Sequence, residues 1–542
     1  MTVSTRAGRR TRVSADGPRA KRVGAPPAAV WLLAGLQLLL AAGWALLVPV
    51  YRAPDEPQHT DLALALSRGE DYPAAFDRRV SAQITSTSAL GNLSVDGTPQ
   101  PNRELRYEAQ AAAPRTARPS FAGAAEDEAT EFRNQMPQHP PGYYLLAGQV
   151  FAALPEATSW DLQVLIVRLL GALLVAPLPV LAWAAAAALV GDPRVALTAA
   201  AVPVAIPQLA HIAGAVNNDA LLVLASAATT AALARVLAGD LRLRVAVIAG
   251  LAAGVALYAK GFALVLPPWI VLAYAVAVWR AAPGRRQWPR ALSSAALAVA
   301  VASAVGGWWW VRNVLVYGTV QPEGFAAPAA PAAFVPDAGF WAQLAFSRLV
   351  LRFWGQFGWL EVPLPWALAW GLCALGAGTA AVALCVPRWP AKNRRAELAV
   401  LLAPLPLLLA IVLPGAWTIY ARTGGPAGLQ GRYLYPGLVG LATAVAVGAA
   451  LLLRRRGARW LPLGVLGAAG VLHGYAALLV LRHFYGPPDP VVQTAWRGLL
   501  AWSPLPPAGI VAVLLATLLV GLAAAVALTA GAARARPGRR AR

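Results

Sequence analysis

The sequence predicts an all-α polytopic membrane protein with about twelve transmembrane helices. The chain is 58% hydrophobic and 13% charged, which is about half the charged fraction of soluble proteins. Apolar runs of roughly 20 residues recur along its 542 residues, and each can cross a hydrocarbon core of about 30 Å. Arginines cluster in the tails and in short loops between these runs, as the positive-inside rule requires. The net charge of +22 is therefore explained by membrane topology, and no nucleic-acid partner is expected.

The arginine-rich segments set the predicted orientation in the cytoplasmic membrane. Both tails, residues 1–28 and 531–542, are basic, and so are the loops at 280–290, 388–395 and 454–459. We place all of these on the cytoplasmic side. The first apolar run, 29–50, is longer than the apolar region of a signal peptide and is expected to remain as a helix. The long segment 51–142 then lies on the extracytoplasmic side.

An odd number of crossings must separate this outer segment from the cytoplasmic loop at 280–290. Six apolar runs lie between them, so one of the six cannot span the membrane. The weakest apolar piece, 143–157, is closed by Pro155 and Glu156, so we expect an interfacial helix there. A second outer segment is expected at 312–362. The predicted spans are 29–50, 163–190, 195–213, 219–239, 243–259, 261–279, 291–311, 363–387, 397–414, 433–453, 460–482 and 506–530.

An acidic pair opens the first outer segment in the motif "PDEPQH", where Asp55 and Glu56 precede His59. A carboxylate here could act as a general base for an incoming hydroxyl, or bind a hard divalent ion. Alternatively, Pro57 fits the first turn of a helix, and the acids would favour its positive N-terminus. Spacing alone leaves both interpretations open.

Two further polar motifs fall on the same predicted face. In "QMPQHPPGYYLL", His139 is either a site residue or a solvated loop residue, and Tyr143 and Tyr144 suit an aromatic belt at the interface. In "AGAVNNDALL", Asn218 or Asp219 suits an N-cap of the following span. Three consecutive amide or acid side chains exceed what one cap requires, so a functional role is the alternative.

Three cationic positions follow on this face. Lys260 lies between two spans in a chain that otherwise uses arginine; it either snorkels or holds a phosphate. Arg312 follows three tryptophans that mark the interface, at the depth of a lipid headgroup. In "TGGPAGLQGRYLYP", glycines would permit close approach to a ligand beside Gln430, and Arg432 could pair with a phosphate.

The order of these motifs resembles the C-type (GT-C) membrane glycosyltransferase superfamily. The similarity is closest to a bacterial membrane-protein family with a P-D-E-P-x-H motif in its first loop, and it covers roughly residues 29–440. Residues 441–530 are then additional C-terminal helices. The resemblance implies inverting transfer of a sugar from a polyprenyl-phosphate donor to a hydroxyl of a cell-envelope glycan, lipid or protein, with the site facing outward. It assigns the first-loop acid of the family to Asp55, with Glu56 beside it, and the later cationic positions to Lys260 and Arg432. Together with the motifs above, we expect Asp55 and Glu56 as catalytic residues and the following as substrate-binding residues: His59, His139, Asn218, Asp219, Lys260, Arg312, Gln430 and Arg432.

The resemblance leaves open whether a divalent metal ion takes part, and no other cofactor is expected. The chain has no P-loop, no Rossmann fingerprint, no H-E-x-x-H and no G-x-S-x-G motif. Two other function classes fit a polytopic chain of this kind. One is a secondary transporter, for which about twelve spans is a common number, and the other is a non-catalytic lipid-binding membrane protein.

Overall fold

The computed structural model describes residues 24–323, 329–386, 394–425, 427–453 and 457–534. Most of the two basic tails and parts of the predicted arginine-rich loops at 388–395 and 454–459 lie outside the described residues.

Within these residues, ten helices are long and apolar enough to cross a membrane. Their runs of Ala, Leu and Val match the predicted spans, so the expectation of a helical, multi-pass membrane protein is confirmed. The ten are Ala28–Leu47, Trp160–Leu189, Asp219–Leu237, Gly261–Trp279, Trp288–Tyr317, Trp366–Cys385, Arg395–Thr423, Gly431–Leu452, Leu461–Phe484 and Pro507–Ala533.

Two of the twelve predicted spans take a different form. The run predicted at 195–213 is a bent pair, Pro193–Ala205 and Pro207–Ala213, whose axes meet at 62°. Proline lacks an amide hydrogen and clashes with the preceding turn, which explains the break. The run predicted at 243–259 is the 15-residue helix Leu243–Leu257, shorter than each of the ten. The described chain therefore has ten candidate spans, or eleven if the bent pair crosses as one.

The ends of two spans also differ from prediction, and one of these, predicted at 397–414, continues to Thr423. The helix predicted at 291–311 continues to Tyr317, so Arg312 lies within it rather than beyond its end. It contains a π-helical turn at Ser303–Gly307, where a Cβ on Gly306 would lie 2.2 Å from the carbonyl oxygen of Gly254. Only glycine permits this close helix contact.

The segment predicted to lie outside at 51–142 is folded. It holds three α-helices, Glu56–Ser67, Ala82–Leu90 and Phe121–Ala124, and two antiparallel strands, Arg79–Ser81 and Ala129–Arg133. A fourth helix, Gly142–Ala152, follows where the interfacial helix was predicted. The helix Gly142–Ala152 is about 16 Å long at 1.5 Å per residue, too short to span a membrane. It packs against Glu56–Ser67. Tyr143 and Tyr144 are fully buried there, so their predicted place in an interfacial aromatic belt was wrong.

The segment predicted at 312–362 contains a further helix, Ala338–Trp354, and a small antiparallel pair, Gln356–Phe357 with Val362–Pro363. A short helix, Val492–Trp502, precedes the last one. The last helix lies along the first, where Gly35 faces Val520. Contacts between distant helices therefore close the bundle around a core of small and aliphatic side chains.

Candidate active site

The two carboxylates of the acidic pair have separate environments. Glu56 is fully buried, and its oxygens accept hydrogen bonds from Arg168 Nε (2.7 Å) and Nη2 (2.6 Å). The backbone N–H of Val216 donates to the same carboxylate at 2.9 Å. A bidentate arginine and an amide donor together engage both oxygens of this carboxylate. Glu56 therefore joins the helix Glu56–Ser67 to two other parts of the bundle.

Arg168 also satisfies the C-terminal end of the first helix. Its Nη1 donates to the carbonyl oxygens of Ala45 and Val48 at 2.7 Å, and its Nη2 donates to that of Pro49 at 2.9 Å. These are orphan carbonyls of a helix end, which need donors when they are buried. Arg168 is not among the residues predicted from the sequence, although an ionisable residue inside an apolar run is itself a signal.

Asp55 immediately precedes that helix and is only partly buried. Its backbone is left-handed, with φ of 61°, a conformation that Asp tolerates better than most residues. Gln135 Nε2 donates to Oδ1 at 3.2 Å. Removal from water raises the pKa of the Asp55 carboxyl above its ordinary value, while Arg432 and Lys260 oppose that rise. Of the pair, Asp55 is thus the carboxylate that faces other site residues.

A compact ionic cluster, formed by Asp219, Lys260 and Arg432, lies beside Asp55. Lys260 Nζ donates to Asp219 Oδ1 at 2.6 Å, and Arg432 Nε lies 3.1 Å from Asp219 Oδ2. All three side chains are at most 9% exposed. Asp219 begins its helix, while Lys260 and Arg432 belong to turns that begin two others. Residues distant in sequence therefore meet at one end of the bundle.

The helix start at 217–219 is built differently from the predicted N-cap. Asn218 occupies the cap position but makes no side-chain cap; its Nδ2 donates to Ala259 O at 3.1 Å. The side chain that accepts from the Asp219 amide is Asn217, through Oδ1 at 2.9 Å. The Asp219 carboxylate is thereby left to the two cations.

Two buried histidines adjoin the cluster. His59 Nδ1 and Tyr144 OH share a hydrogen bond of 2.9 Å, and their rings are stacked with centroids 5.7 Å apart. Burial lowers the pKa of His59 well below its ordinary value, and burial lowers that of His139 to about 3; Lys260 adds to both effects. Both imidazoles are therefore neutral. His139 is 8% exposed, so its reading as a solvated loop residue was wrong.

Several buried polar atoms around the cluster lack a hydrogen-bond partner within the described chain. They are Asn218 Oδ1, Asp219 Oδ2, Arg432 Nε and His139 Nδ1. Asp219 and Arg432 attract each other as ions, but their atoms are not aligned for a hydrogen bond. Buried polar groups are normally satisfied. This concentration of unsatisfied atoms marks a place for a polar ligand or ordered water.

Arg312 lies apart from the cluster. Its guanidinium carbon is 4.7 Å from the ring centroid of Trp309, and it lines a surface groove of about 410 Å³ with Trp308 and Val311. Trp309 meets Tyr72 edge to face at 5.5 Å. Tyr72 OH then donates to the carbonyl oxygen of His139 at 2.7 Å, so aromatic contacts connect the groove to the site.

Gln430 precedes the turn that carries Arg432 and is half-buried. The neighbouring Gly431 packs against the helix Ala338–Trp354, because a Cβ there would lie 2.2 Å from the amide nitrogen of Phe353. The predicted close approach of a glycine therefore exists, but its partner is a helix backbone. Within the described residues, no group of three or more His, Cys, Asp or Glu side chains could hold a metal ion.

A second buried polar group, missed in the sequence, surrounds the bent span. His473 Nε2 lies 3.1 Å from the carbonyl oxygen of Val204, at the bend, and Trp44 Nε1 donates to His473 Nδ1 at 3.0 Å. His211 and Gln208 are also buried, with 3.4 Å between their nitrogens. A proline-broken helix exposes a carbonyl, and His473 satisfies it.

A family model described as "Predicted membrane protein (DUF2142)" matches residues 38–441. The chain belongs to this family. The matched region contains the whole candidate site, from Asp55 to Arg432. No curated protein matches the chain.

Among solved structures, the chain is similar to ArnT from Cupriavidus metallidurans bound to undecaprenyl phosphate. The identity is 13% and the TM-score 0.43, over 93% of this chain and 77% of that one. It is also similar to the apo oligosaccharyltransferase from Archaeoglobus fulgidus, with 11% identity and a TM-score of 0.38, over 86% of this chain and 55% of that one.

Proposed function

We propose that this protein is an inverting membrane glycosyltransferase that uses a polyprenyl-phosphate sugar as its donor. The observation that carries the proposal is the pair of buried cations, Lys260 and Arg432, beside the half-buried carboxylate of Asp55. The motif order that resembles C-type glycosyltransferases supports the same function. The arginine pattern of the sequence would place this site on the extracytoplasmic side of the cytoplasmic membrane, with both termini inside.

In this proposal Asp55 is the general base. It accepts the proton of the acceptor hydroxyl while that oxygen attacks the anomeric carbon. The bond from that carbon to the phosphate oxygen breaks, and the polyprenyl phosphate leaves with the electron pair. Lys260 and Arg432 stabilise the charge that develops on the phosphate, a contribution that is large in sites shielded from water. The leaving group is already weakly basic, so it needs no general acid.

The remaining residues would bind the substrates. The neutral His59–Tyr144 pair and His139 offer hydrogen-bonding groups to sugar hydroxyls, as do the amides of Asn218 and Gln430. Arg312, on the surface groove, would meet the lipid phosphate before it reaches the inner cluster.

Glu56 is better suited to positioning Asp55 than to chemistry. Its carboxylate is already occupied by Arg168 and by the amide of Val216. A carboxylate that is paired with a buried arginine in this way does not accept a substrate proton readily. We therefore assign the base to Asp55 alone.

The test compares wild type, Asp55→Asn and Asp71→Asn, purified in detergent. Asp71 is an exposed carboxylate in the same segment and is the matched control. Each protein receives a panel of polyprenyl-phosphate sugars with a mixed envelope extract as acceptor, with and without chelator, and released polyprenyl phosphate is measured. We expect turnover by wild type and Asp71→Asn, and a loss of at least about 100-fold in Asp55→Asn. Equal turnover by all three would remove Asp55 as the base.

The bent span favours a second candidate, a secondary transporter. Transporters commonly use broken helices beside buried polar groups, and here Gln208 and His211 lie in the shorter half of the bent pair. Proteoliposomes with an ion gradient would distinguish the two functions. Gradient-dependent flux without release of polyprenyl phosphate would support the transporter, whereas lipid binding with neither activity would indicate a non-catalytic lipid-binding protein.

A further inference from the structure

The carboxylate of Asp219 occupies the space between the two cations of the site. One of its oxygens binds Lys260 and the other faces Arg432, at 2.6 Å and 3.1 Å. Both cations also lie near the ring of Tyr433, with Lys260 Nζ 5.4 Å and Arg432 Cζ 5.7 Å from its centroid. The cations are therefore held in place from two sides.

A buried carboxylate that only neutralised two cations would be expected to be fully hydrogen-bonded. Asp219 Oδ2 and Arg432 Nε instead make no hydrogen bond to each other or to any other described residue. The ion pair between Asp219 and Arg432 therefore has close charges but no hydrogen bond between Oδ2 and Nε. An incoming anion could take over the Nε of Arg432 without first breaking a hydrogen bond at that nitrogen.

We propose that Asp219 is a resident counter-ion that competes with the lipid phosphate for Lys260 and Arg432. This inference rests on the proposed function. While the site is empty, the Asp219 carboxylate keeps the two buried cations paired and in position. When polyprenyl phosphate is bound, electrostatic repulsion from the same carboxylate weakens the binding of the phosphate to the two cations. Asp219 therefore favours release of the product after the sugar has been transferred.

The experiment measures binding of undecaprenyl phosphate to purified wild type and Asp219→Asn in detergent at fixed ionic strength. Asparagine keeps the shape and a hydrogen-bond acceptor but removes the charge. We expect Asp219→Asn to bind the lipid at least about tenfold more tightly, a change of about 1.4 kcal/mol. Its kcat and its KM for the sugar donor should both fall, because release of product becomes slow.

The matched control is Asp161→Asn. Asp161 is also a buried acid in the first turn of a helix and is paired with an arginine, Arg118, but it contacts neither cation of the site. The Asp161→Asn variant should bind undecaprenyl phosphate with an affinity within about twofold of wild type.

A second comparison covers the case in which Asp219→Asn fails to fold. Lys260→Gln is compared with the double variant Asp219→Asn/Lys260→Gln, and the double variant is expected to bind the lipid more tightly because Arg432 is freed. Equal or weaker binding on removal of the Asp219 charge, in either background, would overturn the resident counter-ion. If wild type itself does not bind undecaprenyl phosphate, the proposed function fails instead, so the two failures are distinguishable.

Discussion

Replacing Glu56 by Gln should destabilise the protein much more than replacing Asp55 by Asn. Glu56→Gln leaves Arg168, which is 1% exposed, as a buried charge without a counter-ion. Breaking a buried ion pair from one side costs about 3–5 kcal/mol. Asp55 is half-buried and accepts one hydrogen bond, from Gln135, and asparagine can still accept it. The cost of Asp55→Asn should therefore be about 1 kcal/mol or less.

The free energy of unfolding can be measured by titrating SDS into mixed micelles and following tryptophan fluorescence. Arg422→Gln is a useful control, because the Arg422–Glu323 pair is exposed and such pairs contribute about 0–1 kcal/mol. If Glu56→Gln proves as stable as Arg422→Gln, the ion pair with Arg168 does not have the structural role described above. A loss in Asp55→Asn as large as in Glu56→Gln would refute the division of roles within the acidic pair.

Three further results are expected. Removal from water raises the Asp55 pKa above 3.8, so the acid limb of the pH profile of kcat/KM should lie above that pH, with activity falling as the pH falls through the raised pKa. An acid limb at or below pH 3.8 would contradict the assignment of Asp55 as the base. Arg312→Gln should raise KM for the donor about tenfold with little change in kcat, since Arg312 lies outside the inner cluster; a loss confined to kcat would place it at the chemistry. Gly431→Ala should destabilise the protein by about 1–3 kcal/mol, because the Cβ of the alanine would collide with the backbone at Phe353. An unchanged free energy of unfolding in SDS would show that the helix Ala338–Trp354 moves to accommodate the methyl group.

The sequence predicted ten of the twelve spans as the structure has them, and three residues that it selected for the candidate site, Asp219, Lys260 and Arg432, meet at one end of the bundle. Apolar length alone identifies a membrane helix, because the hydrocarbon core sets its length. The exceptions are informative. The bend before Pro207 and the extension of the helix past Arg312 to Tyr317 depend on local backbone contacts, which length and composition do not encode.

The pairings within the site could not be predicted. Lys260 and Asp219 were both selected, but nothing in their sequence spacing of 41 residues indicates that they form an ion pair. In a soluble helix the apolar face shows which side points toward the core. In a membrane helix this signal is weak, because the lipid tails on the outer side are as apolar as the protein core. The rotation of each helix about its axis is therefore poorly encoded by hydrophobicity. For the same reason Arg168, inside an apolar run, gave no hint that its partner is Glu56.

The structural and chemical roles of the acidic pair depend on each other. A left-handed backbone at a non-glycine residue costs about 1–3 kcal/mol and persists only where the surroundings fix it. Asp55 has this conformation, and the next residue, Glu56, is fixed by Arg168 and by the amide of Val216. The buried ion pair therefore supplies the constraint that holds Asp55 toward Lys260 and Arg432. If Asp55 is the base as proposed, Glu56→Gln should lower kcat even in the fraction that remains folded, although Glu56 has no direct role in the proposed reaction.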